Sequence, residues 1–560
     1  MLNGLKGYIN RELVITFLSL GIGMLFLRFV TDDYSAFSFG CAAKQFSDFH
    51  YFEYFWQGLI GYSEVYRFLY GISDTYNWIM ISWICFGFLG LYLSLSFIRN
   101  VVFGKHVGFV MVLLAEILFS LLYLENFYSL SHTRFSLMFC GLGLVNLAFR
   151  EKLRKREIFA FSLLFIAGML MRPEGALGML LLVGGAKLIY SFDVLFLMRR
   201  FWLPSLGFLV MLGAIVYDWH TTDDFVKKLE PEVEYNYMER RTLGLADMTT
   251  AQDSVKHQLA TRGMWFDPKE LSPEYLRSLI KPESNFSTER LFEVAQHISQ
   301  LYLKYIAFPV LMLVLVLILV LLHKRKSAFR LVLFILFSFL LLYAVDYKGL
   351  LLSGRHFLGF QLTTLLIALF YFFSEQAKFD GVVKRLVAVM SVPVFAAFTY
   401  TLYWYKRENR EVWLATCDME KAMQYIESRY VGHMVVVSNE ARYCFDRHPT
   451  LKNQIYTKNT YILFDHGTYS MVPRYSDYMK RLTGYGVESP EKLVRWFSDQ
   501  DALYMSNHER YGLIQSYFGE IYGMQVVFAD SVNINQAAGG GNFMTQDYEI
   551  RSIKVKPPEN

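Results

Sequence analysis

Charged residues are scarce in this chain of 560 residues, where Asp, Glu, Lys and Arg together make up only 19%. Soluble domains carry about 25% charged residues, so the composition excludes an ordinary soluble enzyme. Cysteine is scarce as well, and five cysteines exclude a scaffold stapled by disulfide bonds. The hydrophobic share of 54% excludes a disordered chain. The class that fits these figures is a membrane protein with many spans.

Several catalytic motifs are also missing. The sequence has no CxxC pair, no HExxH, no G-x-S-x-G elbow and no Walker loop, so it gives no support for the chemistries that these motifs serve. The histidines of segment 219–301 are too scattered to predict a zinc site. No cofactor is therefore expected from the residues themselves. Cys417 and Cys444 either form a disulfide bond or are unpaired core residues, and the sequence leaves both open.

Long apolar stretches are what the chain does have. Eleven of them approach the length needed to cross a hydrocarbon core of ~30 Å. They are 13–31, 77–98, 106–124, 134–149, 158–171, 174–190, 201–218, 302–322, 331–345, 357–373 and 386–404. After Tyr405 the hydropathy falls, and short apolar runs alternate with helical patterns. We expect a mainly α protein: a polytopic membrane helix bundle over 1–404 and a small α/β domain over 405–560.

Lys and Arg predict the orientation, because they concentrate in short cytoplasmic connections. Alternate connections are rich in both residues, beginning with Lys6 and Arg11 and ending with Lys384 and Arg385. This pattern predicts a cytoplasmic N-terminus and eleven spans. Loops 32–76 and 219–301 and the C-terminal domain are then extracytoplasmic. The net charge of +5 reflects this topology, so the expected surroundings are a lipid bilayer, and nucleic acid is not an expected partner.

Asp32 and Asp33 lie at the outer mouth of the first predicted span. Two solvated acids that mark a helix end would explain them. The functional interpretation is a carboxylate at the membrane surface that takes a proton from an incoming hydroxyl.

Arg172-Pro-Glu-Gly175 joins two predicted spans on the same outer side. A single arginine there can simply extend to the lipid headgroups. The alternative is a phosphate ligand, because a guanidinium donates two parallel hydrogen bonds to phosphate oxygens. We assign Arg172 and Glu174 to substrate binding on the second interpretation.

Further charged groups flank other outer connections. Each of them can be explained without a binding role, as an anchor to the lipid headgroups. Ionisable residues at membrane depth are costly and usually face a cavity or a partner. The candidate substrate-binding residues of this kind are Lys348, Arg355, His356, His132 and Arg134. Glu116, in the middle of the third span, either pairs with a polar group inside the bundle or is a purely structural carboxyl that can be neutral.

These features together resemble the GT-C superfamily of integral-membrane glycosyltransferases. The features that carry the resemblance are Asp32-Asp33, Arg172-Pro-Glu-Gly175, Arg355-His356 and an outer C-terminal α/β domain. The sequence looks most similar to bacterial members of the protein-mannosyltransferase and aminoarabinose-transferase branch. The resemblance implies an inner-membrane enzyme that inverts the sugar as it moves it from a polyprenyl-phosphate donor. Asp32 or Asp33 would be the general base, and the acceptor a glycolipid, a polysaccharide or a protein. Some relatives require a divalent metal ion and others do not.

Two other functions remain compatible with the sequence. A polysaccharide polymerase or ligase would use an oligosaccharide linked to a lipid pyrophosphate, and it would not need an acid pair after the first span. A lipid or sugar transporter would not be an enzyme, and its charges would line a path through the bilayer. The outer clustering of the charged residues favours the glycosyltransferase.

Overall fold

The computed structural model describes a subset of the chain. The described residues are 11–22, 30–31, 62–73, 75–76, 78–103, 109–130, 132–221, 238, 250, 252–279, 288–347, 354–374, 389, 392–397, 399–401, 403, 423–438, 458–464, 473–534 and 548–556. The predicted boundary at residue 405 lies outside them, as do Cys417 and Cys444. The two-domain division therefore stays a prediction.

The first two thirds of the chain is mainly helical. Its helices are α1 (Arg11–Ile22), α2 (Tyr62–Ile72), α3 (Trp78–Phe97), α4 (Phe109–Tyr128), α5 (His132–Phe149), α6 (Lys155–Met171), α7 (Pro173–Tyr190), α8 (Val194–Thr221), α9 (Val255–Thr261), α10 (Pro273–Leu279), α11 (Thr288–Lys304), α12 (Ala307–Leu321), α13 (Arg325–Tyr347) and α14 (Gly354–Ser374). A π-helical segment, Ile98–Phe103, continues α3. Two short strands, β1 (Val30–Thr31) and β2 (Ser129–Leu130), also belong to this part.

Helix α5 is the centre of the bundle. It packs against α3, α6, α7 and α14, and every residue from Thr133 to Phe149 is buried. Two glycines allow α6 to approach it closely. A Cβ atom on Gly143 would lie 2.6 Å from the carbonyl oxygen of Phe161, and one on Gly168 would lie 2.6 Å from that of Ser136. Small residues at such crossings are typical of membrane helices, where association depends on close van der Waals packing.

Four described helical segments are long and apolar enough to cross a membrane, which makes this a membrane protein. They are Met80–Phe103, Val194–Gly213, Arg325–Tyr347 and His356–Phe373. Shorter apolar helices occur at Ala115–Leu124, Thr133–Phe149, Gly175–Tyr190 and Val392–Thr401. The predicted spans thus coincide with apolar helices over much of the described chain, while the count of eleven and the orientation stay predictions.

Two helices differ from their predicted bounds. The predicted span 302–322 is not one straight helix, because α11 and α12 meet at an angle of 86°. Helix α8 begins at Val194, before the predicted span 201–218, so Arg199 and Arg200 lie inside its first two turns. The side chain of Arg199 is exposed, whereas that of Arg200 donates a hydrogen bond of 2.9 Å to the carbonyl oxygen of Glu151.

The interior charge Glu116 has a polar partner, which was one of the two interpretations from the sequence. Its Oε1 atom lies 2.7 Å from Nη2 of Arg11. A second pair, Arg99 and Glu12, lies beside it at 2.5 Å. Both glutamates are buried, with 0% and 3% of their side chains exposed. Two arginines therefore neutralise two glutamates, which lowers the cost of burying the charges.

The C-terminal part contains a five-stranded mixed sheet. Its elements are β3 (Met434–Val437), β4 (Thr460–Leu463), α15 (Pro473–Thr483), α16 (Pro490–Asp499), β5 (Leu503–Asn507), α17 (His508–Tyr522), β6 (Gln525–Asn533) and β7 (Tyr548–Lys556). The strand order is β4-β3-β5-β7-β6. Strand β3 is parallel to β4 and β5, and β7 is antiparallel to β5 and β6. The apolar runs His433–Ser438, Ala502–Met505 and Gln525–Phe528 predict strands β3, β5 and β6, whereas β4 and β7 were not predicted.

Segment 252–279 packs onto this C-terminal sheet unit through a buried polar contact. The Asp267 carboxylate is 0% exposed. It accepts hydrogen bonds from the backbone N–H groups of Lys269 (3.0 Å) and Glu270 (3.3 Å). The hydroxyl groups of Tyr517 (2.7 Å) and Tyr522 on α17 also donate to it. Burial and the adjacent carboxylate raise the pKa of both tyrosines above their ordinary value.

Aromatic stacking extends the same contact. The ring of Phe266 stacks on Phe464 at 5.1 Å and on Phe518 at 5.8 Å between centroids. Outside the ring cluster, Arg262 forms an ion pair with Glu509. Segment 252–279 and the C-terminal sheet unit therefore share a core.

Candidate functional site

The first turn of α5 lies where two distant parts of the chain meet. Strand β2 leads directly into this helix and pairs in parallel with β1, so that Thr31 lies opposite Leu130. In the first turn of α5, Thr133 is 0% exposed and Arg134 is 2% exposed. A buried arginine at a helix start is uncommon. The acid pair follows Thr31 directly in the sequence.

Arg172 contacts this turn. It separates α6 from α7 in an extended conformation, with φ −159° and ψ 101°, and Pro173 occupies the first turn of α7, where no backbone N–H is needed. The guanidinium Nη1 of Arg172 donates a hydrogen bond of 2.7 Å to Oγ1 of Thr133. The Ser136 hydroxyl, one turn further on, donates to the carbonyl of Gly168 at 2.7 Å. The turn predicted from Arg-Pro-Glu-Gly is thereby fixed against α5.

The first turn of α14 packs against the same end of α5. A Cβ atom on Gly359 would lie 2.9 Å from Cβ of Leu137 and 3.3 Å from the carbonyl oxygen of Arg134. Half-buried His356 lies one turn earlier in α14. The structure therefore brings Arg134, Arg172 and the start of α14 to one end of the bundle.

Six predicted site residues lack a described side chain. Asp32, Asp33 and Lys348 lie outside the described residues. His132, Glu174 and Arg355 lie in described helices, but their side chains are outside what the structure describes. Their assigned roles stay predictions.

A histidine–carboxylate pair near this end of α14 was not predicted. Nδ1 of His297 on α11 lies 2.8 Å from Oδ2 of Asp346 on α13. Asp346 is nearly buried, with 6% of its side chain exposed, whereas His297 is 36% exposed. The two residues are 49 positions apart, so neither spacing nor a motif identifies the pair. The only sequence signal was that Asp346 lies close to Lys348.

Helix α11 connects this pair to α14. The ring of Tyr302, one and a half turns after His297, packs edge-to-face on Phe357 at 4.8 Å. Gln361 donates a hydrogen bond of 3.1 Å to the Tyr302 hydroxyl. His297 and Asp346 thus lie beside the helix whose first turn carries His356.

This arrangement suits an anionic ligand at the end of an apolar bundle. Arg172 is half-buried, and its hydrogen bond to Thr133 fixes the guanidinium beside the first turn of α5. Among the described side chains, no group of three or more His, Cys, Asp or Glu is close enough together to hold a metal ion. A guanidinium is a group that suits phosphate oxygens by charge and by hydrogen-bond geometry.

Comparison with known proteins gives a fold similarity. No protein-family model and no curated protein match the sequence. Among solved structures, the chain is similar to ArnT from Cupriavidus metallidurans in the apo state, with 10% sequence identity, 98% of each chain covered and a TM-score of 0.42. At this TM-score and identity, the similarity assigns no role to any residue.

Proposed function

We propose that the chain is a GT-C-type glycosyltransferase. It moves a sugar from a polyprenyl-phosphate donor to an acceptor hydroxyl on the extracytoplasmic face of a bacterial inner membrane. The observation that carries this proposal is the 2.7 Å hydrogen bond between Arg172 and Thr133. This bond fixes the guanidinium beside the start of α5. Strand β1, which ends directly before Asp32, pairs with the strand that leads into the same helix.

Chain connectivity supports an acid close to that guanidinium. Thr31 is bonded to Asp32 and lies opposite Leu130, three residues before Thr133. Neighbouring strands are about 4.8 Å apart and consecutive Cα atoms about 3.8 Å. The acid pair is therefore expected within a distance on the order of 10 Å from the start of α5.

The chemistry needs a base and positive charge on opposite sides of one sugar. The acceptor hydroxyl attacks the anomeric carbon, and Asp32 or Asp33 takes its proton. The bond from the anomeric carbon to the phosphate oxygen breaks as the new glycosidic bond forms, which inverts the configuration. Negative charge grows on the departing lipid phosphate, and Arg172 stabilises it, with Arg134, Lys348 and Arg355 as further cations. A general base contributes about 10²–10⁴-fold, and one fixed donor to the developing charge about 10²–10³-fold.

We assign His297 to substrate positioning. The carboxylate of Asp346 accepts a hydrogen bond from Nδ1–H of His297, which fixes the ring and directs Nε2 to a ligand. A neutral imidazole in this tautomer accepts a hydrogen bond at Nε2, as from a sugar hydroxyl. Asp346→Asn is expected to raise KM for the donor more than it lowers kcat.

The proposal is tested by sugar transfer from a radiolabelled polyprenyl-phosphate sugar with the purified full chain. Arg172→Ala is expected to lower kcat/KM about 10²–10³-fold. Thr133→Val removes only the partner that fixes the guanidinium, so a smaller loss is expected. Arg156→Ala is a control, because Arg156 is exposed and lies at the other end of α6. Full activity in both Asp32→Asn and Asp33→Asn would contradict the base assignment.

The donor used in this assay separates the enzyme alternatives. A polysaccharide polymerase or ligase would transfer from an oligosaccharide linked to a lipid pyrophosphate and not from the monophosphate. Activity with only the pyrophosphate donor would replace the proposed function.

One observation favours a transporter as a second candidate. The Arg11–Glu116 and Arg99–Glu12 pairs lie inside the bundle. Arg11 begins α1, the helix that precedes β1, so these charges are far from the Arg172 end. Because each arginine neutralises a glutamate, however, the two pairs suit a structural role better than a transport path. Lipid-linked sugar movement across proteoliposomes, without transfer to an acceptor, would support the transporter.

A further inference from the structure

The end of the bundle opposite Arg172 holds a second cluster of cations, formed by Arg150, Lys187, Arg200 and Arg330. Arg150 directly follows α5, and Lys187 lies in the last turn of α7. Each helix has 18 residues, which corresponds to a length of about 27 Å. The cluster is therefore separate from the proposed catalytic site, and the inference does not depend on the proposed function.

Aromatic rings surround Lys187. Its ammonium nitrogen lies 4.8 Å from the ring centroid of Phe196, 5.4 Å from that of Tyr190 and 5.7 Å from that of Phe149. Ring faces attract cations within about 6 Å. The three rings come from the end of α5, the end of α7 and the start of α8, so the cage forms only when these helices pack.

Two of these rings are shared with further cations. The guanidinium of Arg200 lies 5.1 Å from the centroid of Phe196. That of Arg330 lies 5.3 Å from the centroid of Tyr190. Like charges are thereby brought to the same aromatic surfaces, which is unfavourable unless an anion neutralises them.

Three of the four cations form no close ion pair with a described residue. Lys187, Arg150 and Arg200 form no ion pair within 4.0 Å in the part of the chain that the structure describes. Nη1 of Arg200 and Nε of Arg150 are buried without a hydrogen-bond acceptor. The carboxylates of Asp193 and Glu151 act on Lys187 only from beyond ion-pair distance, and that of Asp193 accepts a hydrogen bond from the backbone N–H of Phe196 at 2.9 Å. The other terminal nitrogen of Arg200, Nη2, donates a hydrogen bond of 2.9 Å to the carbonyl oxygen of Glu151. Buried donors of this kind cost free energy until an acceptor reaches them.

We propose that this cluster binds the phosphate group of an anionic phospholipid. A phosphate diester supplies oxygen acceptors for the two arginines and a charge that neutralises Lys187. Three apolar side chains nearby are exposed: Phe192 (87%) just before α8, and Leu195 (67%) and Met198 (66%) in its first two turns. Exposed apolar side chains beside the cations favour a lipid over a free anion. In the predicted orientation, the lipid belongs to the cytoplasmic leaflet.

The test measures binding of phosphatidylglycerol to the purified full chain in detergent by native mass spectrometry. Phosphatidylcholine with the same acyl chains and inorganic phosphate are the other probes. We expect phosphatidylglycerol to bind, phosphatidylcholine to bind at least tenfold more weakly, and millimolar inorganic phosphate not to displace the lipid. Loss of one cation beside an anionic lipid corresponds to roughly fivefold weaker binding. Lys187→Gln and Arg200→Gln should each show this loss, and the double variant about 25-fold.

Two variants serve as controls. Arg199→Gln removes an exposed charge next to Arg200 on the same helix and should leave lipid binding unchanged. Lys187→Arg keeps the charge in the cage and should retain binding. If Lys187→Gln does not fold, Arg200→Gln decides the test. Equal affinity for both lipids, unchanged binding in Arg200→Gln, or displacement by inorganic phosphate would overturn the proposal.

Discussion

Removing the hydroxyl groups that hold Asp267 should loosen segment 252–279 from the C-terminal sheet unit. Tyr517 and Tyr522 supply two of the four hydrogen bonds to this buried carboxylate. The carboxylate makes no ion pair with a described residue, so its charge depends on these donors. A hydrogen bond to a charged group contributes about 1.5–3 kcal/mol. Tyr517→Phe should therefore lower the free energy of local opening by that amount.

Hydrogen exchange of the backbone amides in 255–279 measures this opening. A loss of 1.5–3 kcal/mol corresponds to exchange about 10- to 150-fold faster when opening limits it. Tyr522→Phe should have a similar effect, and the double variant a larger one. Tyr485→Phe is the matched control, because Tyr485 is 39% exposed and its hydroxyl has no partner among the described residues. Unchanged exchange in both single variants, or equal acceleration in the control, would refute the reasoning.

Three further predictions concern packing, buried charge and pH. Gly143→Ala places a Cβ 2.6 Å from a backbone oxygen of α6 and should lower the free energy of unfolding by about 1–3 kcal/mol. Gly178→Ala is the control, because the new Cβ has no atom within 4 Å and should not destabilise the protein. Thermal unfolding compares the two variants. Glu116→Gln breaks a buried ion pair and should cost about 3–5 kcal/mol, and adding Arg11→Gln should recover part of the loss in the same measurement. Because folding raises the pKa of Tyr517 and Tyr522, their protonated hydroxyl groups stabilise the Asp267 contact fully below pH ~10. This stability should be lost as the pH rises further, and Trp265 fluorescence measures the loss.

Helices could be predicted well from the sequence, and contacts between them could not. The apolar stretch 134–149 predicts a span and matches the buried helix α5. The pair Ser272-Pro273 predicts a helix start with the serine as N-cap, because proline suits the first turn, and α10 does begin at Pro273. Strand β7 was missed: it pairs with two other strands, and its Lys and Arg residues obscure the alternation.

The candidate site was predictable only in part. Arg172 stands out in the sequence because a Pro and a Gly follow it between two apolar stretches. Its partner Thr133 does not stand out, since a threonine 39 residues away has no local signal. The pairs Asp346–His297 and Asp267–Tyr517 involve even longer separations, and His297 had been set aside as one of several scattered histidines.

The sequence by itself determined that this protein is a membrane protein with apolar helices and a more polar C-terminal part. These properties depend on composition and on the length of apolar runs, which are local quantities. The tertiary structure decided which charged groups meet. Close helix packing at Gly143, the parallel pairing of β1 with β2, and the cage around Lys187 each join residues from separate helices or strands. Such contacts depend on how helices cross, and the crossing is a property of the whole packed bundle.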